Sequence, residues 1–410
     1  MTPEAGLWVA IGGARRHSRD CLSMGWQPDA DVPFHPGDEF PFDDRGIGFI
    51  ACGDFIYDLD RAARLHFLLE CRRTLRPNGR ISITGRGDAG SVPGANLRRL
   101  AALAGLEPAP DGFTKPDRGV RDDPLVSILI PAYNPRFFVA CLDSALAQTY
   151  SEIEIVICDD SPGPEIEAIV RGRASRFPVH YERNDTRLRP RGNFTRCFER
   201  AHGEFVKFLC DDDLLAPTCI ASLLDAFRHA PDIALATSRR QCIAESGCAI
   251  GDLPATMPIV DKDTVIAGPT LANAMIMAGL NTIGEPSTVL FRKADLLDQA
   301  PKYFRFDGVA GHGIVDMVTW AALLLKGDAV YLHQALSCFR IHAGQRQRDP
   351  EKAQRNVDSI RALQAAWLDL RLHQRLQADV LWSKPFPPPR GLDWREQPVL
   401  GFAARPAVAG

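Results

Sequence analysis

Between residues 125 and 215 short apolar runs alternate with helical patterns, and this rhythm restricts the chain more than any other feature. Leu125, Val126, Ser127, Ile128, Leu129 and Ile130 form a run closed by Pro131, which suits a strand buried on both faces of a parallel sheet. Phe138, Leu142, Ala145 and Leu146 then share one helical face, and residues 153–158 give a second buried strand that ends in Asp159, Asp160 and Ser161. A strand at 179–182, a helix at about 193–201 and a strand at 205–210 continue the series. Strands alternating with helices predict a doubly wound, Rossmann-like α/β sheet, whose ligand lies across the carboxyl ends of the strands. Pro131 to Asn134, the pair Asp159 and Asp160, and the run Asp211, Asp212, Asp213 all fall at that edge.

Three consecutive carboxylates after a buried strand repel one another unless a cation lies among them, and hard oxygen ligands suit a divalent metal that holds a diphosphate. The other reading is a solvated acidic turn capping a helix, because Leu214, Leu215 and Pro217 read as a helical first turn. Composition narrows the partners. A chain of 410 residues is too long for one ordinary core, so two domains with appendages are expected. A net charge of -3 provides no basic field for nucleic acid. The eleven cysteines are scattered, without a CxxC pair or zinc spacing, and no secretory signal precedes them, which reads as reduced cytosolic thiols. The longest apolar stretches fall short of a transmembrane segment, so the expected location is the cytoplasm, extending to peripheral association with the inner face of a membrane.

Pro108, Pro110, Gly112, Pro116, Gly119 and Pro124 lie among charged residues, a composition that disfavours helix and strand and reads as a linker. The expected organisation is a first domain at 1–118, a linker at 119–124, a main domain at 125–346, a helix within 347–380 and a Pro-rich tail at 381–410. The helix rests on Val357, Ile360, Leu363, Trp367 and Leu370, and the tail on Pro385, Pro387, Pro388 and Pro389.

The main domain resembles family 2 glycosyltransferases of the GT-A fold. The run Val126-Ser127-Ile128-Leu129-Ile130-Pro131-Ala132-Tyr133-Asn134 is similar to that family's opening strand, Ile157-Cys158-Asp159-Asp160-Ser161 to its second strand end, and Gly203-Glu204-Phe205-Val206-Lys207-Phe208-Leu209 to the approach to its metal motif. Gly284-Glu285-Pro286-Ser287 resembles an acceptor-side loop, Asp316 stands where the family keeps its catalytic base, and Arg340-Ile341-His342 resembles the closing motif. The resemblance implies metal-dependent, inverting transfer of a sugar from a nucleoside-diphosphate donor, a UDP-sugar, to a hydroxyl of a glycan, lipid-linked or protein acceptor, in glycan or polysaccharide synthesis. It implies donor binding by Pro131, Ala132, Tyr133, Asn134, Asp159, Asp160, Asp211 and Asp212, with an aspartate accepting the uracil imide hydrogen. It also implies Mn²⁺ or Mg²⁺ at Asp213 or Asp212 with His342, an acceptor loop at Gly284, Glu285 and Pro286, and Asp316 as base. Two departures stand out. Cys210 occupies the place of the first acid of the metal motif, where it is expected to pack as a small apolar residue, and Val315 replaces a second acid before Asp316. Asp316 also reads as a helix N-terminal charge, and His342 as a structural histidine.

The first 118 residues resemble a shortened S-adenosylmethionine-dependent methyltransferase domain. Leu7-Trp8-Val9-Ala10-Ile11-Gly12-Gly13 is similar to the first strand and glycine turn, and residues 68–83 to the late helix, turn and strand. The resemblance implies S-adenosylmethionine near Gly12, Gly13 and Asp29, with Asp38 at a second acidic position. The alternatives to a simple transferase are therefore a bifunctional glycosyltransferase and methyltransferase, or a silent nucleotide-sugar binding module.

Overall fold

The computed structural model describes residues 7–11, 21–25, 32–33, 39–42, 44–83, 93–344, 350–388 and 393–400. The chain divides into two compact units, Met1–Arg118 with Leu368–Gln374, and Gly119–Trp367 with Arg375–Gly410.

The first unit contains β1 (Leu7–Ile11), β2 (Cys21–Gly25), β3 (Val32–Pro33), β4 (Ile47–Cys52), α1 (Arg61–Thr74), β5 (Leu75–Ile83), α2 (Ala95–Leu103), β6 (Glu107–Ala109) and β7 (Gly112–Thr114). Its seven-stranded sheet has the order β3-β2-β1-β4-β5-β7-β6, with β1 to β5 parallel and β7 antiparallel to β5. Asp60 caps α1 by accepting from Ala63 N at 2.9 Å, and the helix buries Leu65, Leu68 and Cys71. Two expectations need correction here. Residues 107–114 are not part of an irregular linker but an antiparallel hairpin, and Pro108 is tolerated because β6 is the edge strand. Gly12, Gly13, Asp29 and Asp38 lie outside the described residues, so the cofactor reading of this unit has no described site beneath it.

The second unit begins with β8 (Val126–Ala132), α3 (Pro135–Leu146), β9 (Ile153–Asp159), α4 (Glu165–Arg171), β10 (Val179–Arg183), α5 (Arg189–Arg200) and β11 (Phe205–Phe208). These four strands are parallel, in the order β10-β9-β8-β11. The chain thus winds outward from β8 in one direction and returns to its other side, so a crevice opens between the ends of β8 and β11. Val126, Ile128 and Ile130 are fully buried beside Phe138, Leu142, Leu223 and Phe227, as a doubly covered sheet requires. The sheet continues through β12 (Leu214–Leu215), α6 (Cys219–His229), β13 (Ile233–Ala244), β14 (Thr264–Ile266), α7 (Gly268–Ala278), β15 (Leu290–Arg292), α8 (Val315–Leu324), β16 (Asp328–Ile341), α9 (Pro350–Asp369), β17 (Val380–Pro385) and β18 (Arg395–Pro398). β13 and β16 run parallel, while β15 is antiparallel to both β11 and β13.

Three readings are corrected in this unit. Leu214 and Leu215 are not a helical turn, because they pair with Cys338 and Ser337 of β16 and the helix starts only at Cys219, so the aspartate run caps no helix. α5 starts four residues before the expected Asn193, at Arg189, with Pro190 in its first turn, where the missing N–H costs nothing. The tail expected at 381–410 is not loose in its described part, since β17 pairs antiparallel with β14 and β18 antiparallel with β17. Pro385 ends its strand and Pro398 lies on the edge strand, so neither interrupts an inner ladder. Among the described residues no helix is long and apolar enough to cross a membrane.

Candidate functional site

The crevice between β8 and β11 is bridged by one carboxylate. Asp211 Oδ2 accepts the backbone N–H of Tyr133 and of Asn134, each at 2.7 Å. Asn134 in turn caps α3, its Oδ1 accepting from Arg136 N at 3.0 Å, with Pro135 at the first helical position. Asp211 therefore shapes the loop after β8. Burial pushes its carboxyl up to about 6, against the two amide bonds that favour the charged form.

Asp213 faces inward. It is 1% exposed, its Oδ1 accepts from Arg340 N at 3.0 Å and its Oδ2 from Ser287 Oγ at 2.6 Å. Ser287 Oγ also accepts from Cys210 N at 3.0 Å, and Lys207 Nζ, fully buried in β11, donates to Ser287 O at 2.6 Å. Burial, then the neighbouring Asp212, holds the Asp213 carboxyl well above the usual range. Asp213 is thus a tie between the end of β11, the 284–287 loop and β16. Burial pushes the Cys210 thiol up as well, which keeps it neutral and unsuited to metal binding.

Asp212 points the other way, to His342. Its Oδ2 lies 3.0 Å from His342 Nε2, while its main-chain oxygen accepts from Arg340 Nε at 2.8 Å. The ring packs on Phe137 at 5.0 Å between centroids, and Nδ1 accepts from Gly344 N at 3.2 Å. That acceptor places the ring proton on Nε2, aimed at Asp212. A divalent ion fits in that proton's place between a carboxylate and an imidazole, with the Gly344 bond given up. Among the described residues no group of three or more His, Cys, Asp or Glu converges as a complete metal cage. Asp212 and His342 are thus two groups that could hold a divalent ion, a number that magnesium and manganese sites complete with phosphate and water.

A cleft of about 330 Å³ opens beside this turn, lined by Tyr133, Asp160, Ser161, Pro162, Arg183, Asn184, Asp185 and Arg187. The Arg187 guanidinium lies 4.5 Å from the centroid of the Tyr133 ring. Neither aspartate of the β9 end offers the free carboxylate that the sequence suggests. Asp159 accepts from Ser161 N at 2.8 Å and from Tyr181 Oη at 2.7 Å. Asp160 accepts from Leu188 N at 2.7 Å, Arg189 N at 2.9 Å and Asn184 Nδ2 at 3.1 Å, which folds the 184–189 loop over the cleft. Asn184 Nδ2 also donates to Asn193 Oδ1 at 2.9 Å, and its own Oδ1 is buried without a hydrogen-bond partner. That Oδ1 is an unsatisfied polar atom of a cleft-lining residue, beside the remaining acceptor positions of Asp159 and Asp160. Pro131 and Ala132 contribute backbone: Ala132 O accepts from Asp160 N at 2.9 Å and Asn193 Nδ2 at 3.2 Å.

Asp316 is the second residue of α8. Its Oδ1 accepts from Met317 N at 2.8 Å and its Oδ2 from Asn281 Nδ2 at 2.6 Å. Burial pushes its carboxyl up to about 6, and Glu285 adds to this, against the bonds from Met317 and Asn281. A carboxylate with that pKa is suited to take a proton near neutral pH. Asn281 closes its own turn, donating to Gly284 O at 2.8 Å and accepting from Gly284 N at 3.0 Å. Gly284 has φ 132°, and a Cβ there would meet Thr288 Cβ at 2.6 Å. Pro286 starts the short 3-10 turn Pro286–Thr288 that carries Ser287.

The sequence did not single out Asn184, Asn281 or the work of Ser287 and Arg340. Ser287 and Arg340 lie inside the motifs named above, and Lys207 is a charge in an apolar run, which is itself a signal. Asn281 carries no local signal of its contact with Asp316, which lies 35 residues on.

The model of the family described as Glycosyl transferase family 2 matches residues 127–258, which span β8 to the segment after β13. An uncharacterized protein of Mycobacterium tuberculosis is 30% identical over 241 residues, covering 57% of this chain and 72% of that protein. An uncharacterized glycosyltransferase of Rickettsia prowazekii is 25% identical over 229 residues, covering 54% and 65%. Chondroitin synthase of Escherichia coli is 34% identical over 115 residues, 28% of this chain and 16% of that protein. The chain thus spans only part of each relative. Among solved structures, S. aureus TarS 1-349 in complex with UDP-GlcNAc is similar with a TM-score of 0.47 at 17% identity, covering 60% of this chain and 67% of that one. The mannosyltransferase PcManGT from Pyrobaculum calidifontis, in complex with GDP-Man and Mn2+, gives 0.43 at 14% identity, covering 63% and 71%. From the matched domain and the relatives of its sequence, the chain is a glycosyltransferase and belongs to glycosyl transferase family 2.

Proposed function

We propose that this chain moves a sugar from a nucleoside-diphosphate donor to a hydroxyl acceptor with inversion, Asp316 acting as base. The observation that carries the reading is the pairing of Asp212 with His342 next to the turn that holds Tyr133, together with a carboxyl at Asp316 pushed up to about 6. The nucleoside occupies the cleft, where the Asn184 Oδ1 acceptor meets an imide or amide hydrogen and the Tyr133 ring offers a stacking face. Arg183 and Arg187 line the same cleft and attract the diphosphate. Asp212 and His342 would hold Mn²⁺ or Mg²⁺, which when bound neutralises charge on the departing diphosphate.

The residues divide the remaining work. Asp211 and Asp213 set the turn so that Asp212 meets His342, and Asn281 fixes the Asp316 carboxylate. Asp316 takes the acceptor proton, and the oxygen then attacks the anomeric carbon from the face opposite the leaving group. The function is tested by titrating UDP and GDP into the chain with and without Mn²⁺ and by following nucleoside-diphosphate release from common UDP- and GDP-sugars. Binding that Mn²⁺ strengthens, lost in Asp212→Ala, supports it. No binding and no release from any donor would remove it.

A further inference from the structure

The approach to α8 is gripped by an arginine from a different element. Arg191, the third residue of α5, donates from Nη1 to Ala310 O at 2.7 Å and from Nη2 to Tyr303 O and Phe304 O at 3.0 and 3.1 Å. Burial, then the neighbouring Arg305, holds its pKa below the usual arginine value, and among the described residues no carboxylate pairs with it. A half-buried guanidinium with a like charge beside it and only carbonyl partners is a costly way to stabilise a fold. What it holds accounts for the cost. Phe304 at φ 59° and Asp307 at φ 45° are non-glycine residues in the left-handed region, which persist only where their surroundings constrain them. Arg191 supplies that constraint at Phe304 and, across the loop, at Ala310. Gly311 follows, and its oxygen accepts from Ile314 N at 3.3 Å, while Ile314 O accepts from Val318 N at 3.2 Å in the first turn of α8. Asp316 lies between these bonds. On another side the loop is held by α9, whose Ser359 Oγ donates to His312 O at 3.0 Å. α5 has a second attachment: at its start the N–H groups of Leu188 and Arg189 donate to Asp160, a residue of the nucleotide cleft. One helix end therefore borders the cleft and grips the loop that leads to Asp316.

Resting on the glycosyl-transfer reading, we propose that Arg191 is a positioning residue for transfer: it fixes the backbone before α8 relative to the nucleotide cleft, as Asn281 fixes the Asp316 side chain, so that base and donor meet in one geometry. Arg191 acts through the loop and touches neither substrate. Its loss leaves the cleft intact but frees the 303–313 loop and the start of α8 to shift, and a displacement of about 1 Å at a reacting group costs about 100-fold in rate.

The test compares wild type with three variants. Arg191→Met keeps much of the side-chain volume but bonds to no carbonyl, Arg191→Lys restores part of the hold through one ammonium, and Ser359→Ala releases the loop from α9 and serves if the arginine variants do not fold. Calorimetry with UDP or GDP and Mn²⁺ reports the cleft. Nucleoside-diphosphate release from UDP- and GDP-sugars, with methyl glycosides or water as acceptor, reports transfer as a function of pH. Nucleotide affinity should stay within about twofold, while kcat falls about 10- to 100-fold in Arg191→Met and less in Arg191→Lys and Ser359→Ala, with the donor KM changing little. The acid limb of kcat, set by an Asp316 carboxyl that burial holds up at about 6, should move to lower pH as water reaches the loosened helix start. Glu285, whose charge also raises that carboxyl, is present in every variant. An arginine that only stabilised the fold would lower Tm on removal without moving the limb. The proposal is overturned if Arg191→Met keeps the wild-type kcat, if nucleotide affinity falls in step with kcat, or if the limb stays where it is in wild type. A wild-type chain that binds no nucleotide and releases none from any donor removes the transfer reading itself, and this proposal with it; an Asp316→Asn chain with wild-type kcat removes the base.

Discussion

The Asp316 carboxylate, proposed above as the base, is held in its charged form against the stability of its own fold, and Asp316→Asn should reveal the opposition. The carboxyl rises from 3.8 to about 6, a difference of about two pH units. At about 1.4 kcal/mol for each, the ionised Asp316 destabilises the folded chain by roughly 3 kcal/mol. The sign follows from proton binding: between about pH 4 and 6 the folded state holds a proton that the unfolded state has released, so stability falls as pH rises through that window. Asparagine removes the charge but turns an amide nitrogen toward Asn281 Nδ2, and that lost bond costs about 1 kcal/mol. The variant should be more stable than wild type by about 2 kcal/mol at pH 7, roughly 4–8 °C in Tm for a unit of this size. It should show little or no advantage at pH 4. Transfer should fall by about 10²- to 10⁴-fold with nucleotide binding unchanged. Urea unfolding of both chains at pH 4, 5, 6 and 7, without cation or nucleotide, measures the difference directly. A variant no more stable at pH 7, or a gap equal at pH 4 and 7, would refute a charge held in an unfavourable site.

The aspartate run yields a second contrast: Asp212→Ala and His342→Ala should each remove the Mn²⁺ effect on UDP affinity, at least about tenfold, whereas Asp213→Asn should retain it. Calorimetry decides, and the reverse pattern would move the ligand role to Asp213. Gly284→Ala forces an L side chain to φ 132° against Thr288 and should cost about 1–3 kcal/mol while impairing transfer more than nucleotide binding, read by thermal unfolding and kinetics. Glu154 lies at the opposite end of β9 from the cleft, where burial raises its carboxyl but bonds from Ser127 and His202 outweigh it and leave the pKa lowered. Its stabilisation is present above about pH 4.5 and lost as pH falls through the depressed value. Glu154→Gln should therefore be less stable at neutral pH, and the gap should close on acidification in a denaturation series.

What was legible in the sequence was what local pattern determines. Residues 125–130 are apolar without alternation because β8 is covered on both faces; the ladder runs on through Pro131 to Ala132, and Asn134 then caps α3. The same logic located the ends of β9 and β11, and hence the edge at which the site lies. It failed where distant pairing decides. Leu214 and Leu215 have helical credentials, but β16 claims them from more than 120 residues away. Pro108 looked like a breaker and is an edge-strand residue, a distinction that depends on the sheet order and not on neighbours in sequence.

The roles within the aspartate run were illegible for the same reason. Three identical side chains in sequence became three different groups because Asp211 meets amides 78 and 77 residues earlier, Asp213 meets Ser287 74 residues later and Arg340 127 later, and Asp212 meets His342 130 later. Repulsion at a strand end called for a cation among all three. The fold gives the outer two to amide, hydroxyl and main-chain donors, and pairs the middle carboxylate with an imidazole. Ser287, two residues from Glu285, then joins this turn to the 284–287 loop, since its hydroxyl binds Asp213 and its carbonyl binds Lys207. Because these bonds are buried, loop and turn are fixed by each other, and a change in the 284–287 loop should be felt at the aspartate turn.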